Sequence, residues 1–556
     1  MAKGYRPVDR DQPFLFPPDM REWLPGDHPV WLVIAVVEEH LDTSAFHAGR
    51  KTGGAGTAGY DPDMLVTVLV WAYAHGVTSS RDMERLCRTD VAFRVICAGN
   101  LPDHCTFARF RAGFPEAVTG LFAEVLKLCA RLGMGKVGVV ALDGMKIAAS
   151  ASRSANRTEA GLAKLARERV AAHAAADAAE DELYGEGRRG DEVPEEAWSP
   201  RRRDERIRAA LAGLEAERKA AQAAEAERAG AFRERQRSGQ RTGRAPGSAA
   251  VELAEENLAR VRAARAAQLA ELEDRYAAGQ PRRGRAATAQ APGVDDYNRV
   301  KRAEAKVDKA RARAAEAARK AAEKAAAAKG PGPVRNITDP DSRLMPVRGG
   351  GFIQGYNTQN VVSEDGLIIA TELTDEQADC PWFEPMLTRA QDAAALIAAH
   401  RPDASPVAEP ASQDHDGDPG DGIELVLADA GYCSEHNLTC PGPDRLIATG
   451  KGRDLEKAAR DPGTDDPGWG GPAIQAMRGR LKTGDGIAGY RHRGHIAETP
   501  HGNIKQNMSF RQLSMRGKRK ASAEWTFTAT VHNLFKALSA GTLTSQALTA
   551  LAGTPA

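Results

Sequence analysis

Two kinds of hydrophobic pattern divide the chain. The first is the short, nearly continuous apolar run. Val137-Gly-Val-Val-Ala-Leu142 closes on Asp143, and Ile423-Glu-Leu-Val-Leu-Ala428 closes on Asp429. Runs of this length and β-branched content predict buried strands. Gly144 to Ser150 predicts a short extension of the first. Gly351 to Val362 and Gly366 to Thr371 flank Ser363-Glu-Asp-Gly366 and predict a hairpin. Leu446-Ile-Ala-Thr449 predicts a further strand.

The second pattern has helical period. Residues 1–135 read mostly as helices: Trp31 to Leu41, Met64 to Tyr73 opened by Asp61-Pro62, Arg81 to Cys87 capped by Ser79-Ser80, a short basic helix within Pro102 to Arg111, and Ala117 to Leu132. Trp382 to Ala399 predicts a helix after Cys380-Pro381. A final helical stretch runs from about 496 through Val531 to Leu538. Residues 401–422 and 451–488 read as polar, Gly-rich loops.

Between about 155 and 330 the pattern disappears. Ala, Arg, Glu and Lys dominate, large apolar residues are few, and Pro194, Pro200, Pro246-Gly247, Pro292-Gly293 and Pro333 cut the segment into pieces of high helix propensity. In one piece Leu258, Val261, Leu269, Leu272 and Tyr276 form a single narrow stripe, as in a helical hairpin or loose coiled coil. This segment is no globular core, and part of it is expected to be disordered without a partner.

The predicted class is α/β: a mixed sheet with flanking helices, an all-α N-terminal domain and a long helical insertion. The expected boundaries are 1–135 for the N-terminal domain, 136–150 with 346–540 for the sheet domain, 151–345 for the insertion and 541–556 for a tail.

Charge sharpens the picture only locally. The formal net charge is +1 over 556 residues, so the whole-chain balance implies no particular partner. From Arg478 to Lys520, however, eleven basic residues stand against Asp485 and Glu498. Such a segment suits a polyanion, or a solvated Arg-rich surface. Arginines 109 and 111 on the short basic helix suit a helix-turn-helix-like DNA contact, or equally a plain bundle whose arginines face water. The seven cysteines are odd in number and lack a Cys-x-x-Cys, which fits a reducing cytoplasm and argues against a disulfide framework or a four-cysteine zinc site. A signal-peptide pattern and a membrane-length apolar run are both absent, so a cytoplasmic chain without membrane partners is expected.

The chemistry rests on three acids. Asp143 and Asp429 each close a Val/Leu-rich run, where a short carboxylate is held rigidly. Taken alone, each before its glycine is as well explained as a turn residue. Glu498 stands in the basic segment seven residues, two helical turns, before Lys505, so both face one side. Three carboxylates gathered by two strands and a helix suit a pair of divalent ions, Mg²⁺ or Mn²⁺, and phosphodiester chemistry. Lys146 is expected to balance the charge of Asp143. A zinc site from His492, His495, His501 and Cys433 or Cys440 has no familiar spacing, and these histidines are expected to meet phosphate or water.

Tyr490-x₂-Arg493 followed by Glu498-x₆-Lys505 resembles the signature of DDE transposases from bacterial insertion sequences. Leu142-Asp-Gly-Met-Lys-Ile147, Asp339-Pro-Asp-Ser-Arg-Leu-Met345, Gln354-Gly-Tyr-Asn-Thr-Gln359, Leu427-Ala-Asp-Ala-Gly-Tyr432 and His532-Asn533-Leu534 add to the resemblance, and Pro62 to Arg111 is similar to the helical domain preceding the core in one branch of these enzymes. The resemblance implies a ribonuclease-H-like fold with Asp143, Asp429 and Glu498 as a metal-binding triad. Tyr490, Arg493, Lys505, Arg109, Arg111, Arg516 and Lys518 are the implied DNA contacts. The chain departs from the family in one spacing: four residues separate Arg493 from Glu498 where three are usual. Arg491 therefore competes with Arg493, and Glu524 is the fallback third acid. The implied activity is cleavage at terminal inverted repeats and strand transfer into double-stranded target DNA, by a homodimer or larger synaptic assembly. The alternatives are a metal-dependent nuclease without joining and a non-catalytic DNA-binding or coiled-coil scaffold.

Overall fold

The computed structural model describes residues 19–48, 59–168, 171, 198–238, 249–278, 292–327, 334–347, 350–402, 422–450 and 470–552. Met1–Ala155 with Thr338–Ala556 form one compact unit, and Asn156–Ile337 form a second. The N-terminal helices, expected as a domain of their own, belong to the same unit as the sheet.

Strands are numbered along the chain. β1 (Val139–Ala148) lies in the first unit, and β2 (Asn156–Thr158) pairs antiparallel with β3 (Val334–Asn336) in the second. β4 (Arg343–Pro346), β5 (Phe352–Ser363), β6 (Ile368–Thr374), β7 (Leu425–Ala428) and β8 (Asp444–Ile447) join β1 in one mixed sheet of order β4-β5-β1-β7-β8. β6 also pairs with β5, alongside Asn357 to Val362, while β4 pairs with Phe352 to Gly355.

β1 continues past its apolar run, in keeping with the extension expected from Gly144 onward. Its antiparallel rungs with β5 continue from Val140↔Ser363 to Ala148↔Gly355, past Asp143. Its parallel rungs with β7 stop at Leu142↔Ala428. Asp143 is therefore an exit only on the β7 side. The extension expected after Asp143 forms because β5 supplies a full set of backbone partners.

The helix Lys518–Ser539 packs on β6 and on the helix Pro115–Arg131. It buries Trp525, Ala529, Val531, Leu534 and Ala537 almost completely, and each large side chain among them contributes roughly 1.5–3 kcal/mol. Asn533 extends this packing with hydrogen bonds. Its Nδ2 donates to the Ile368 carbonyl at 2.8 Å and its Oδ1 accepts from the Ile368 amide at 2.8 Å, so one side chain acts as a strand neighbour for β6. Phe383–Ala398 packs on β5, β6 and the Pro115–Arg131 helix. Gly484–Gln506 crosses β1, β5, β7 and β8.

The last of these helices corrects the expected loop at 451–488, whose residues 451–469 lie outside the described residues. Pro472–Arg480 and Gly484–Gln506 are both helical. Their start signals are ordinary: Pro472 opens the first, and the Thr483 hydroxyl accepts from the Gly486 amide to cap the second. Some of the glycines that suggested a loop serve packing. A Cβ at Gly486 would meet the Arg480 carbonyl oxygen at 2.0 Å.

In the second unit Trp198–Arg237, Ala249–Ala277 and Asn298–Ala327 are long helices. Arg262 pairs with Glu304 at 2.7 Å and Arg311 with Glu255 at 2.6 Å; the partners step in opposite directions, as in an antiparallel hairpin. The predicted stripe of Leu258, Val261, Leu269 and Leu272 is only half-buried, and the Tyr276 side chain lies outside the described residues. Fuller burial falls to Leu253, Val300, Ala303 and Val307.

Candidate active site

Register alone brings the first two acids together. Leu142 and Ala428 are the last parallel rung between β1 and β7, so Asp143 and Asp429 are the next residues on adjacent strands. Asp429 then leaves the sheet and caps the turn Ala430–Tyr432, its Oδ1 accepting from the Gly431 amide at 2.8 Å. The Gly484–Gln506 helix lays Arg493 across the pair. Arg493 Nη2 is 3.0 Å from Asp143 Oδ1 and 3.9 Å from Asp429 Oδ2. On the same helix His501 Nδ1 stands 3.6 Å from Asp143 Oδ2, within ion-pair range but long for a hydrogen bond.

The electrostatics follow from this crowding. Burial works against the charge of Asp143, but the His501 ring and the Arg493 charge outweigh it and hold the carboxyl below its ordinary range. Asp429 goes the other way: burial, and then the like charge of Asp143, push its carboxyl up. Arg493 is held charged against its burial by Asp143, Tyr490, Asp429 and Glu498. Burial pushes the Tyr490 phenol up to about 12, and its hydroxyl donates to the Ala428 carbonyl at 3.2 Å, one residue before Asp429. Burial likewise lowers the Lys505 ammonium, with the charge of Asp143 opposing.

Glu498 lies on the same helix, exposed to solvent, and its charge acts on Arg493. Its carboxylate has no ion pair with the described residues around Asp143 and Asp429. Among the described residues, the group of acid and histidine ligand atoms that converges within 4.8 Å is His47, Asp61 and Asp63, remote in sequence from the three predicted acids. The fallback acid Glu524 is elsewhere and fully occupied. It accepts from the Tyr73 hydroxyl at 2.9 Å, from the amides of Ser514 and Met515 at 2.8 and 2.9 Å, and from the Ser514 hydroxyl.

Lys146 departs from its expectation, and two of the expected DNA contacts, Arg111 and Lys518, have partners within the protein. Lys146 does not balance Asp143: residues three apart on a strand point to opposite faces, and Lys146 Nζ donates instead to the Gln377 carbonyl at 2.9 Å and to Asp379 Oδ1 at 3.2 Å. Arg111 is not a free DNA contact. Its guanidinium donates to the Thr78 carbonyl, the Tyr73 and Ser514 hydroxyls and the Ser80 hydroxyl at 2.8–3.2 Å. Lys518 Nζ is paired with Asp375 at 2.9 Å. Arg109 is exposed, and Arg516 is exposed while its Nε donates to the Ser150 carbonyl at 2.9 Å.

Sequence reasoning missed Asp379, at the turn after β6. Its Oδ1 accepts from Asn357 Nδ2 at 2.7 Å and Gln359 Nε2 at 2.8 Å as well as from Lys146. Asn357 and Gln359 are the β5 partners of Lys146 and Gly144. A Cβ at Gly144 would meet Asp379 Oδ1 at 2.6 Å, and one at Gly431 would meet Asp379 Oδ2 at 3.2 Å and Asp429 Oδ1 at 2.9 Å. The two glycines after the two site aspartates therefore make room for a third aspartate. Asn437 Nδ2 joins the two loops by donating to the carbonyls of Cys380 and Tyr432 at 2.9 and 2.8 Å. The only sequence signal was polar residues at alternate positions of a strand that is otherwise buried.

The donor set fits a hard divalent cation, because every candidate ligand is a carboxylate oxygen. Comparison with known families agrees in kind. Residues 18–113 match a transposase domain (DUF772), and residues 471–538 match a transposase DDE domain. The second match contains Tyr490, Arg493, Glu498, His501 and Lys505; Asp143 and Asp429 lie outside both. No curated protein and no solved structure matches the chain. The two family matches, one near each end of the described residues, support a DDE-type insertion-sequence transposase.

Proposed function

We propose that this transposase binds terminal inverted repeats, cuts their 3′ ends by metal-assisted hydrolysis and joins the freed 3′-hydroxyls to target DNA. The carrying observation is the adjacency of Asp143 and Asp429 at the last parallel rung, bridged by Arg493. The strand order, with antiparallel β5 and parallel β7 on either side of β1, supports a ribonuclease-H-like core.

Asp143 and Asp429 would hold Mg²⁺ or Mn²⁺, with Glu498 as the third ligand. Two such ions, when bound, would supply an activated water or 3′-hydroxyl and neutralise the leaving oxygen. The protein's own groups do the rest. Tyr490 fixes the Ala428 carbonyl and with it the approach of Asp429. Arg493 holds the two aspartates together and is placed to meet a phosphate once they bind cations. Lys505 lies half-buried within reach of the field of Asp143 and suits the scissile phosphate. Glu498 must turn toward the aspartates, one helical turn from His501, and DNA bound over the helix is the natural cause. Arg109 and Arg516 add backbone contacts, which make binding steeply salt-dependent. Synapsis of two ends requires at least a dimer.

The test is an end substrate labelled at its 3′ strand, incubated with target DNA and Mg²⁺. Labelled target joints support the proposal. Cleaved ends without joints indicate a nuclease, and binding without either indicates a scaffold.

A further inference from the structure

A line of buried hydrogen bonds runs from the C-terminal helix to Asp143, and its direction is fixed by chemistry. It begins at Trp525, whose indole N–H can only donate. That N–H lies 2.7 Å from Thr371 Oγ1 and 3.3 Å from Asn360 Oδ1. With its oxygen accepting from Trp525, the Thr371 hydroxyl sends its own proton to Asn360 Oδ1 at 2.6 Å. The other end of the Asn360 amide is fixed independently. Thr358 Oγ1 donates to the Met145 carbonyl at 3.1 Å, so its oxygen is left to accept, and Asn360 Nδ2 stands 3.2 Å from it. Asn360 thus presents N–H toward His501, whose Nε2 lies 3.0 Å from Nδ2. An Nε2 that accepts carries no proton. The ring proton is then on Nδ1, the atom 3.6 Å from Asp143 Oδ2.

We propose that Trp525, Thr371, Asn360 and His501 form a one-way hydrogen-bond chain that presents the Nδ1–H of His501 to Asp143 and sets the orientation of its carboxylate. Trp525, Asn360 and Thr358 are fully buried, Thr371 is half-buried and His501 is 9% exposed, so most of the line is shielded from water. Asn360 is the β5 partner of Asp143 itself, which makes the chain a property of the sheet register. Arg493 holds one oxygen of Asp143 and His501 faces the other, so the carboxylate plane is defined from two sides. These are positioning residues, and their purpose rests on the reading of Asp143 as a cation ligand. Partners that orient a ligating group commonly change cation affinity by about 10–100-fold when removed.

The test uses the full chain with ¹⁵N-labelled histidine, and Mn²⁺ as the probe. The His501 signals, identified by their loss in His501→Asn, should show a protonated Nδ1 and a bare Nε2. Asn360→Asp, which removes the donor facing Nε2, should move the proton to Nε2. In Mn²⁺ titration, His501→Asn keeps an N–H near the Nδ1 position and should bind within about twofold of the parent. His501→Gln and Asn360→Asp should bind about tenfold more weakly, while Trp525→Phe reports the far end of the chain by a mixed His501 signal. A parent His501 protonated at Nε2 overturns the proposal. So does a His501→Gln that binds Mn²⁺ as the parent does while Asp143→Asn does not bind. If Asp143→Asn itself binds Mn²⁺ normally, the cation reading of that residue falls and takes this proposal with it.

Discussion

Asp143 and Asp429 stand side by side because β1 and β7 run parallel and their last common rung, Leu142↔Ala428, ends one residue before each. Two carboxylates so placed repel, and Arg493 Nη2, 3.0 Å from one and 3.9 Å from the other, is the cation that holds them. Replacing it with glutamine should leave the pair uncompensated. In the absence of divalent ions, Arg493→Gln is expected to lose about 3 kcal/mol, the usual cost of removing one partner from a buried ion pair. Added Mn²⁺ should restore more stability to this variant than to the parent, as read by thermal unfolding. Equal Mn²⁺ stabilisation of both proteins would contradict the shared-cation account.

Gly144 tests the place of Asp379. An alanine there would bring its Cβ to 2.6 Å from Asp379 Oδ1 and 3.0 Å from Gln359 Nε2. Gly144→Ala should cost roughly 1–3 kcal/mol, as overpacking does. In an Asp379→Ala background the same change should cost much less, a coupling of about 1 kcal/mol or more in a double-mutant cycle of chemical unfolding. Additive effects would mean that the carboxylate is not what fills the space.

Glu524 and Glu498 should separate cleanly. Glu524 is a buried acceptor of several donors, so Glu524→Gln leaves N–H groups facing N–H groups and should cost on the order of 1–3 kcal/mol. Glu498 is exposed, and Glu498→Gln should leave the melting temperature unchanged while abolishing strand transfer. A Glu498→Gln protein that joins DNA at the parental rate would remove it from the site.

His532 predicts a pH window. Burial lowers its pKa from 6.5 to about 4, outweighing the hydrogen bond that its Nε2 donates to the Gly366 carbonyl, while its Nδ1 meets Asn503 Nδ2 at 2.9 Å. Below 6.5 the unfolded chain takes up a proton that the folded chain refuses until about 4. Stability should therefore fall as pH drops through that window, by on the order of 3 kcal/mol for this group. His532→Gln should flatten that part of the stability–pH curve, measured by denaturant unfolding.

Much of this was legible in the chain. The two apolar runs marked β1 and β7, and an acid closing each was enough to suspect a shared site, since parallel neighbours align their ends. The hairpin of β5 and β6 and most N-terminal helices followed from period, proline and caps. What stayed hidden depended on partners distant in sequence. Arg111, a basic residue on a short helix, looks the same in sequence whether it meets DNA or closes a network around Tyr73 and Ser80. Asp379 and His501 carry no local pattern at all; register places one beside Gly144 and a helix face places the other beside Asp143. Gly486 and Gly489 helped hide a helix because their reason, close packing on Arg480 and on Leu446 of β8, does not show in the hydrophobic pattern.

The central claim, that Asp143 and Asp429 are one catalytic pair, is tested most directly by strand transfer in Mg²⁺ with Asp143→Asn and Asp429→Asn. Each protein is to be first shown to melt near the parental temperature and to bind the end DNA. Both variants are predicted to yield no cleaved or joined product while binding DNA as the parent does. Parental levels of joined product from either one would contradict the account.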